Sequence, residues 1–361
     1  MNLTLHLTDS CNMDCAYCTH TKTPARMTEE IVDAACDLAF SAGRSAGLCF
    51  FGGEPLLEMP LIYRAVSRCT AKSKETGIPV FYKMTTNGTL LTESFLTFAR
   101  GVKIGIGLSF EGSAQDCCRV FADGSGTFGV VEEKAKLLLK YMPKSYALMT
   151  IAPQAVPQFA DAVKYLYQLG FRNMTATIAY GNRLHWTDED LALLEVQMRE
   201  IAAFYEDAFL RGEPFYFSPI DAKISDNIRG FNPSERCHLG FRQMPVATDG
   251  RLYACTQFIG DEAYCFGDVF TGIDREKQKA VAMRASEPET CKECALRKRC
   301  TNSCGCMNRL ETGNEDVVSA LQCSYERMTI ALADETADRL FAANEAAFRR
   351  RFMPKQTGAA R

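Results

Sequence analysis

Leu3-Thr4-Leu5-His6-Leu7, followed within a few residues by Cys11-Asn12-Met13-Asp14-Cys15-Ala16-Tyr17-Cys18, is the stretch around which the chain is arranged. The first part is strand-like, and the second puts three thiols at C-x3-C-x2-C spacing on the loop that leaves it. Three thiolates so spaced can hold three irons of a cubane [4Fe–4S] cluster and leave the fourth iron without a protein ligand. Such a vacancy invites a small chelating molecule.

Outward from this loop, the chain of 361 residues is long enough for a barrel-sized domain and a smaller one. It is 47% hydrophobic and 24% charged, ordinary values for a globular protein. A net charge of −3 with no long basic stripe gives no reason to expect nucleic acid. The run Arg349-Arg350-Arg351 suits the C-terminus of a helix. No apolar run reaches the roughly 20 residues of a membrane span. The first residues lack the basic and apolar regions of a signal peptide, so a cytoplasmic location is expected. Seventeen cysteines are then expected to be reduced, and those that cluster to bind metal. A chain so rich in thiolate-bound iron would suit an anaerobe.

From residue 1 to about 215 the pattern alternates strand and helix. Strands are expected at Leu3–Leu7, Gly47–Phe51, Pro79–Thr85, Val102–Ser109, Tyr146–Ile151 and Asn173–Ala179. Amphipathic helices are expected near 28–42, 58–76, 92–100, 127–141 and 156–168, with Thr28 and Thr92 as the clearest N-caps. Repeated βα units imply parallel strands with right-handed crossovers, an α/β sheet or barrel. Six units make a partial (β/α)6 TIM-type barrel, with function at the C-terminal strand ends. After a long helical stretch at 187–211, turn residues multiply and nine cysteines fall between Cys237 and Cys323. The expected division is 1–225 for the barrel, 226–330 for a cysteine-rich domain, and 331–361 for a C-terminal helix and disordered tail.

Several strand ends carry polar turns. The second ends in Phe50-Phe51-Gly52-Gly53-Glu54-Pro55, where the glycines would let a ligand approach the backbone and Glu54 offers a carboxylate to an ammonium group. Thr86-Asn87-Gly88 closes the third and Ser109-Phe110-Glu111-Gly112 the fourth. In the later region, Cys237-x12-Gly250-x4-Cys255 frames a hairpin turning at Asp249-Gly250. Cys291-x2-Cys294-x5-Cys300-x3-Cys304 and Cys323 follow. By itself that second set would suit zinc as well as iron. Cys36, Cys49, Cys69, Cys117 and Cys118 lie outside any ligand pattern and read as small buried hydrophobes.

Cys11, Cys15 and Cys18, with Tyr17 before the last cysteine and Gly52-Gly53-Glu54 at the end of the next strand, resemble the signature of the radical S-adenosylmethionine (radical SAM) enzymes. The later cysteines resemble the seven-cysteine signature of the SPASM extension. The resemblance implies S-adenosylmethionine and three [4Fe–4S] clusters, one at Cys11, Cys15 and Cys18 and two auxiliary. It implies cofactor contacts at Tyr17, Gly52, Gly53, Glu54, Asn87, Ser109 and Arg119. Glu111 departs from the aspartate usual in related enzymes. By the same resemblance, Cys291, Cys294, Cys300 and Cys323 close one auxiliary cluster. Cys237, Cys255 and Cys304 hold the other, one ligand short. That position is open, or filled by Cys306, Cys265 or His238.

The chemistry implied is one-electron cleavage of S-adenosylmethionine to a 5′-deoxyadenosyl radical that abstracts hydrogen from an unactivated C–H bond. The architecture resembles ribosomal-peptide maturases, which install thioether or other crosslinks, and anaerobic sulfatase maturases, which form formylglycine. Phe50-Phe51 before the glycines, Thr256 after Cys255 and the stretch Cys255–Gly260 favour the first. Sulfatase maturases carry an aspartate at the position of Thr256, proposed as the base. Asp249, Asp268, His238 and Tyr264 are candidate proton acceptors. Implied partners are a small precursor peptide, a reductant such as flavodoxin or ferredoxin, and a separate leader-binding protein. The reading from another class is an iron–sulfur electron carrier or a zinc-binding interaction protein.

Overall fold

The computed structural model describes residues 1–181, 183–230, 239–241, 243–285, 287–302 and 304–353. The first half alternates as expected. It runs β1 (Asn2–His6), β2 (Met13–Cys15), α1 (Glu29–Phe40), β3 (Ala46–Phe51), α2 (Met59–Thr76), β4 (Val80–Thr86), α3 (Glu93–Gly101) and β5 (Ile104–Ser109). Next come β6 (Arg119–Phe121), α4 (Phe128–Tyr141), β7 (Tyr146–Ile151), α5 (Phe159–Leu169), β8 (Asn173–Ile178) and α6 (Asp188–Leu210). The Thr28 hydroxyl accepts from Ile31 N and the Thr92 hydroxyl from Phe95 N, so both predicted caps are real. Thr187 and Asp190 add a capping box that starts α6.

β1, β3, β4, β5, β7 and β8 are neighbours in that order and all parallel, with Leu5 opposite Phe50 and Tyr82 opposite Ile104. These are the six predicted strands. They are buried between helices on one side and the barrel interior on the other, which explains apolar runs such as Gly105–Leu108. The sheet has two free ends, so the barrel is partial.

After α6 the chain forms β9 (Tyr216–Phe217) and α7 (Ser218–Arg229), which the sequence pattern did not suggest; residue 225 lies within α7. The predicted hairpin is β10 (Met244–Val246) and β11 (Arg251–Tyr253), extended by β12 (Cys265–Asp268) and β13 (Gly272–Ile273). β10 pairs parallel to β1, with Leu3 opposite Met244, so the hairpin prolongs the barrel sheet. α8 (Arg275–Arg284), α9 (Gly305–Thr312), α10 (Ala320–Ala343) and α11 (Glu345–Phe352) complete the order. Arg349, Arg350 and Arg351 fall in the last turn of α11, as their charge requires. The tail expected beyond Pro354 lies outside the described residues. Among those, no helix is long and apolar enough to cross a membrane.

Candidate active site at the C-terminal strand ends

A cavity of about 830 Å³ opens at the C-terminal ends of the barrel strands. Cys11, Cys15, Tyr17 and Cys18 form one wall, the strand ends Gly52, Gly53, Glu54, Asn87 and Ser109 another, and Arg119 lies beside them. Every residue for which the resemblance implied a first-domain role thus faces one space. The opposite wall comes from the later region through Cys255, Thr256, Gln257 and Cys306.

The cysteine loop is fixed from three directions. β2 pairs antiparallel with β6, setting Cys15 opposite Arg119, and Ala16 N donates to Cys118 O at 2.8 Å. Gly53 N donates to Thr8 O at 2.8 Å and Glu54 N to Ser10 O at 2.9 Å. Asn87 Nδ2 donates to Asn12 Oδ1, and Asn12 Nδ2 to Thr89 Oγ1, both at 2.8 Å.

These bonds change the reading of the glycines. A Cβ on Gly52, at φ +125°, would lie 2.4 Å from Thr8 O, and one on Gly53 would lie 2.1 Å from Ser10 O. The close approach they permit is by the chain leading into Cys11. Glu54 is likewise spoken for: its Oε1 accepts from Thr86 Oγ1 at 2.7 Å and Leu56 N at 3.0 Å, and its Oε2 from Asn87 N at 2.7 Å. It is fully buried, and burial pushes its carboxyl up while the three donors pull it down. Its first work is to tie the ends of β3 and β4 together.

Tyr17 is held by its hydroxyl, which donates to Glu111 Oε1 at 2.6 Å and accepts from Arg119 Nη1 at 2.7 Å. Glu111 Oε2 accepts from Thr150 N at 2.8 Å and lies in the fourth strand-end motif. Burial pushes the Glu111 carboxyl up, with Arg119 opposing it, and opposes the charge on Arg119, where Tyr17, Cys15 and Glu111 outweigh it. Arg119 keeps its charge, because a guanidinium does not give up its proton, and its Nη1 lies 3.7 Å from Glu111 Oε1. Sequence pattern missed this network because its members are about a hundred residues apart.

Burial raises the Cys11 thiol and pushes that of Cys15 up to about 11, with Arg119 the main opposing influence on Cys15. Both are therefore protonated without metal, so iron binding here must release protons. Three half-buried thiols around one roomy, partly polar space fit the sulfur donor set of a cluster.

His6, Asp9 and His20 line the same cavity and formed no part of the sequence reading. Both ring nitrogens of buried His6 are without a hydrogen-bond partner among the described residues. Burial, with His20 next, pushes His6 down to about 3, so it is neutral. Its ring centroid is 5.6 Å from that of His20, whose Nε2 lies 3.4 Å from Asp9 Oδ1 without hydrogen-bond alignment. Two of only four histidines near the cysteine loop were the available signal.

In the later region, Cys291, Cys294, Cys300 and Cys323 surround one small cavity, the grouping implied for one cluster. Arg327 Nε donates to Cys323 Sγ at 3.3 Å. Cys304 Sγ lies 3.5 Å from Cys306 Sγ, and Cys306 lines the large cavity together with Cys255. Cys265 faces a different cavity with Arg251 and Asp268. Cys237 and His238 lie outside the described residues. Asp249, Asp268 and Tyr264 do not line the large cavity: Asp249 pairs with Arg251, Asp268 caps a turn, and Tyr264 bonds Glu315. Cys36, Cys69 and Cys118 are buried as expected and Cys49 half-buried, but Cys117 is exposed, since it ends a short surface helical turn.

Residues 5–194, more than half of the chain, match the radical SAM superfamily, and the protein belongs to that superfamily. Its S-adenosylmethionine and [4Fe–4S] cluster are thereby implied for this cavity. Among curated relatives, the cysteine-type anaerobic sulfatase-maturating enzyme of Clostridium perfringens is 22% identical over 349 residues, covering 87% of this chain and 90% of its own. Among solved structures, native anSMEcpe with bound AdoMet and a peptide has TM-score 0.77 at 21% identity, with 95% and 99% coverage of this chain and its own. Streptococcus suis SuiB bound to precursor peptide SuiA has TM-score 0.62 at 14% identity, with 89% and 75% coverage.

Proposed function

We propose that this radical SAM enzyme oxidises a cysteine-containing, ribosomally made peptide, forming a thioether or similar crosslink. The observation that carries this reading is the shared cavity, with Cys11, Cys15 and Cys18 on one wall and Cys255 and Cys306 on the other. A substrate between them meets both cysteine sets. When bound, S-adenosylmethionine and the iron–sulfur clusters supply a hydrogen-abstracting radical and a sink for one electron.

Crosslinking removes a hydrogen atom from carbon and a proton from the thiol, forms the S–C bond, and leaves one electron to be taken away. In this reading Cys11, Cys15 and Cys18 anchor the first cluster, Gly52-Gly53-Glu54 meets the amino group of S-adenosylmethionine, Ser109 faces its ribose or carboxylate, and Arg119 lies beside them. Asn87 and Tyr17 hold the loop that carries them. Cys291, Cys294, Cys300 and Cys323 anchor one auxiliary cluster, and Cys237, Cys255 and Cys304 belong to another. Residues 1–225 form the radical SAM part, 226–330 the SPASM part and 331–361 the C-terminal addition. A flavodoxin or ferredoxin supplies electrons and a separate protein presents the leader peptide, all in the cytoplasm.

The second reading is formylglycine formation on a sulfatase, favoured by the likeness to sulfatase-maturating enzymes along most of the chain. Against it stands Thr256, a neutral side chain on the cavity wall just after Cys255. Anaerobic turnover with S-adenosylmethionine, reductant and each substrate class separates the two. The first predicts loss of two hydrogens from a precursor peptide; loss of cysteine sulfur with appearance of an aldehyde in a sulfatase peptide selects the second.

A further inference from the structure

We propose that His6 is a substrate-binding residue whose imidazole hydrogen-bonds the main chain of the bound peptide. This rests on a peptide substrate, which both readings above share. In a strand, successive side chains point to opposite faces of the sheet. Leu5 and Leu7 lie in the hydrophobic core, while His6 between them lines the large cavity. Phe51 on β3, Thr85 on β4, Ser109 on β5, Thr150 on β7 and Thr177 on β8 line it as well, so the row forms a floor across the strand ends. His6 stands opposite Phe51 with ring centroids 5.1 Å apart, and is the one nitrogen side chain of that row.

His6 is 1% exposed, yet both its ring nitrogens lack a hydrogen-bond partner among the described residues. The neighbouring ring of His20, 5.6 Å away between centroids, supplies none. A neutral imidazole carries one N–H donor and one bare acceptor. Burying both unmet costs stability that an apolar side chain, such as Leu5 or Leu7 on either side, does not. Partners for them must then come from what fills the cavity. The strand order points to the substrate and not the cofactor. β1 stands between β10 of the later region and β3, β4 and β5, whose ends carry groups assigned to S-adenosylmethionine. Cys255, Thr256 and Gln257 of the later region face the same cavity, and Thr19 Oγ1 donates to Gln257 Oε1. A peptide lying between the cofactor and this wall passes over His6. Its main chain offers N–H and C=O groups whatever the side chains, whereas a cysteine thiol alone offers one weak donor. Bonded at both nitrogens, His6 fixes the peptide's register in the cavity.

The test uses full-length reconstituted protein as wild type, His6→Leu, His6→Asn and His6→Gln, with the cysteine-containing peptide that wild type modifies as the probe. Urea midpoints at neutral pH, S-adenosylmethionine binding by equilibrium dialysis, and peptide KM and kcat are measured. His6→Leu should unfold at or above the wild-type midpoint and bind S-adenosylmethionine as wild type does. Its peptide KM should rise about tenfold, by a larger factor than kcat falls. At least one of His6→Asn and His6→Gln, which keep a donor and an acceptor, should recover part of that loss. A lower urea midpoint for His6→Leu would mean that the fold itself uses the imidazole, and weakened S-adenosylmethionine binding would move the contact to the cofactor. Either result, or an unchanged KM, overturns the proposal while leaving the peptide readings in place. Failure of wild type itself to modify either peptide class overturns those readings instead, and the proposal with them.

Discussion

Behind Cys15 lies the buried pair Glu111 and Arg119, and behind Cys300 lies the buried pair Lys223 and Glu326, with Nζ to Oε2 at 2.7 Å. The first belongs to the barrel itself: Glu111 follows β5, Arg119 opens β6, and both meet Tyr17 inside the cysteine loop. The second joins separate layers, since Lys223 comes from α7 and Glu326 from α10, where it also accepts from Thr301 N and Oγ1. The early cysteines are thus held by strand ends that the sheet already fixes. The later ones depend on side chains reaching between helices, so the two regions should fail in different ways.

The largest effect expected is from Cys15→Ala, which should reduce 5′-deoxyadenosine formation to background while circular dichroism stays native. Next, Glu111→Leu leaves Arg119 buried and unpaired, and should cost about 3–5 kcal/mol in urea unfolding. It should also weaken S-adenosylmethionine binding, because the Tyr17 anchor is cut. Lys223→Met should cost nearer 3 kcal/mol, because Thr301 still satisfies Glu326. Its damage should appear as iron lost from the later cysteines, with deoxyadenosine formation retained. Equal loss of both functions in these two variants would erase the contrast.

Gly53→Ala probes the early region without touching charge, and should cost about 1–3 kcal/mol by overpacking against Ser10 O. The last effect appears only in acid. His6 is held neutral in the folded chain, down to about 3 from an ordinary 6.5. The unfolded chain therefore binds the extra proton first, and the stability His6 contributes is complete above pH 6.5 and lost as pH falls toward 3. Urea midpoints of His6→Asn should fall less steeply across that window than those of wild type.

The same contrast explains what was legible in the chain. The C-x3-C-x2-C loop lies within eight residues, and the six βα units and their Thr28 and Thr92 caps are local patterns, so the barrel and its opening could be read directly. Gly52, Gly53 and Glu54 stood out in the sequence, but only the fold shows that another stretch of this chain, Thr8 to Ser10, packs against them. β2 and β6, at three residues each, carry no periodicity of their own, and Tyr17, Glu111 and Arg119 meet only through the fold. Likewise, spacing left Cys265 and Cys306 equivalent, and only the fold shows Cys306 lining the large cavity beside Cys255 while Cys265 lines another.

The most direct test of the account is a single anaerobic turnover of the reconstituted full-length enzyme with S-adenosylmethionine, dithionite and a cysteine-containing precursor peptide, read by mass spectrometry. The account predicts 5′-deoxyadenosine together with a peptide lighter by two hydrogens. Absence of 5′-deoxyadenosine from protein that holds its full iron would contradict it.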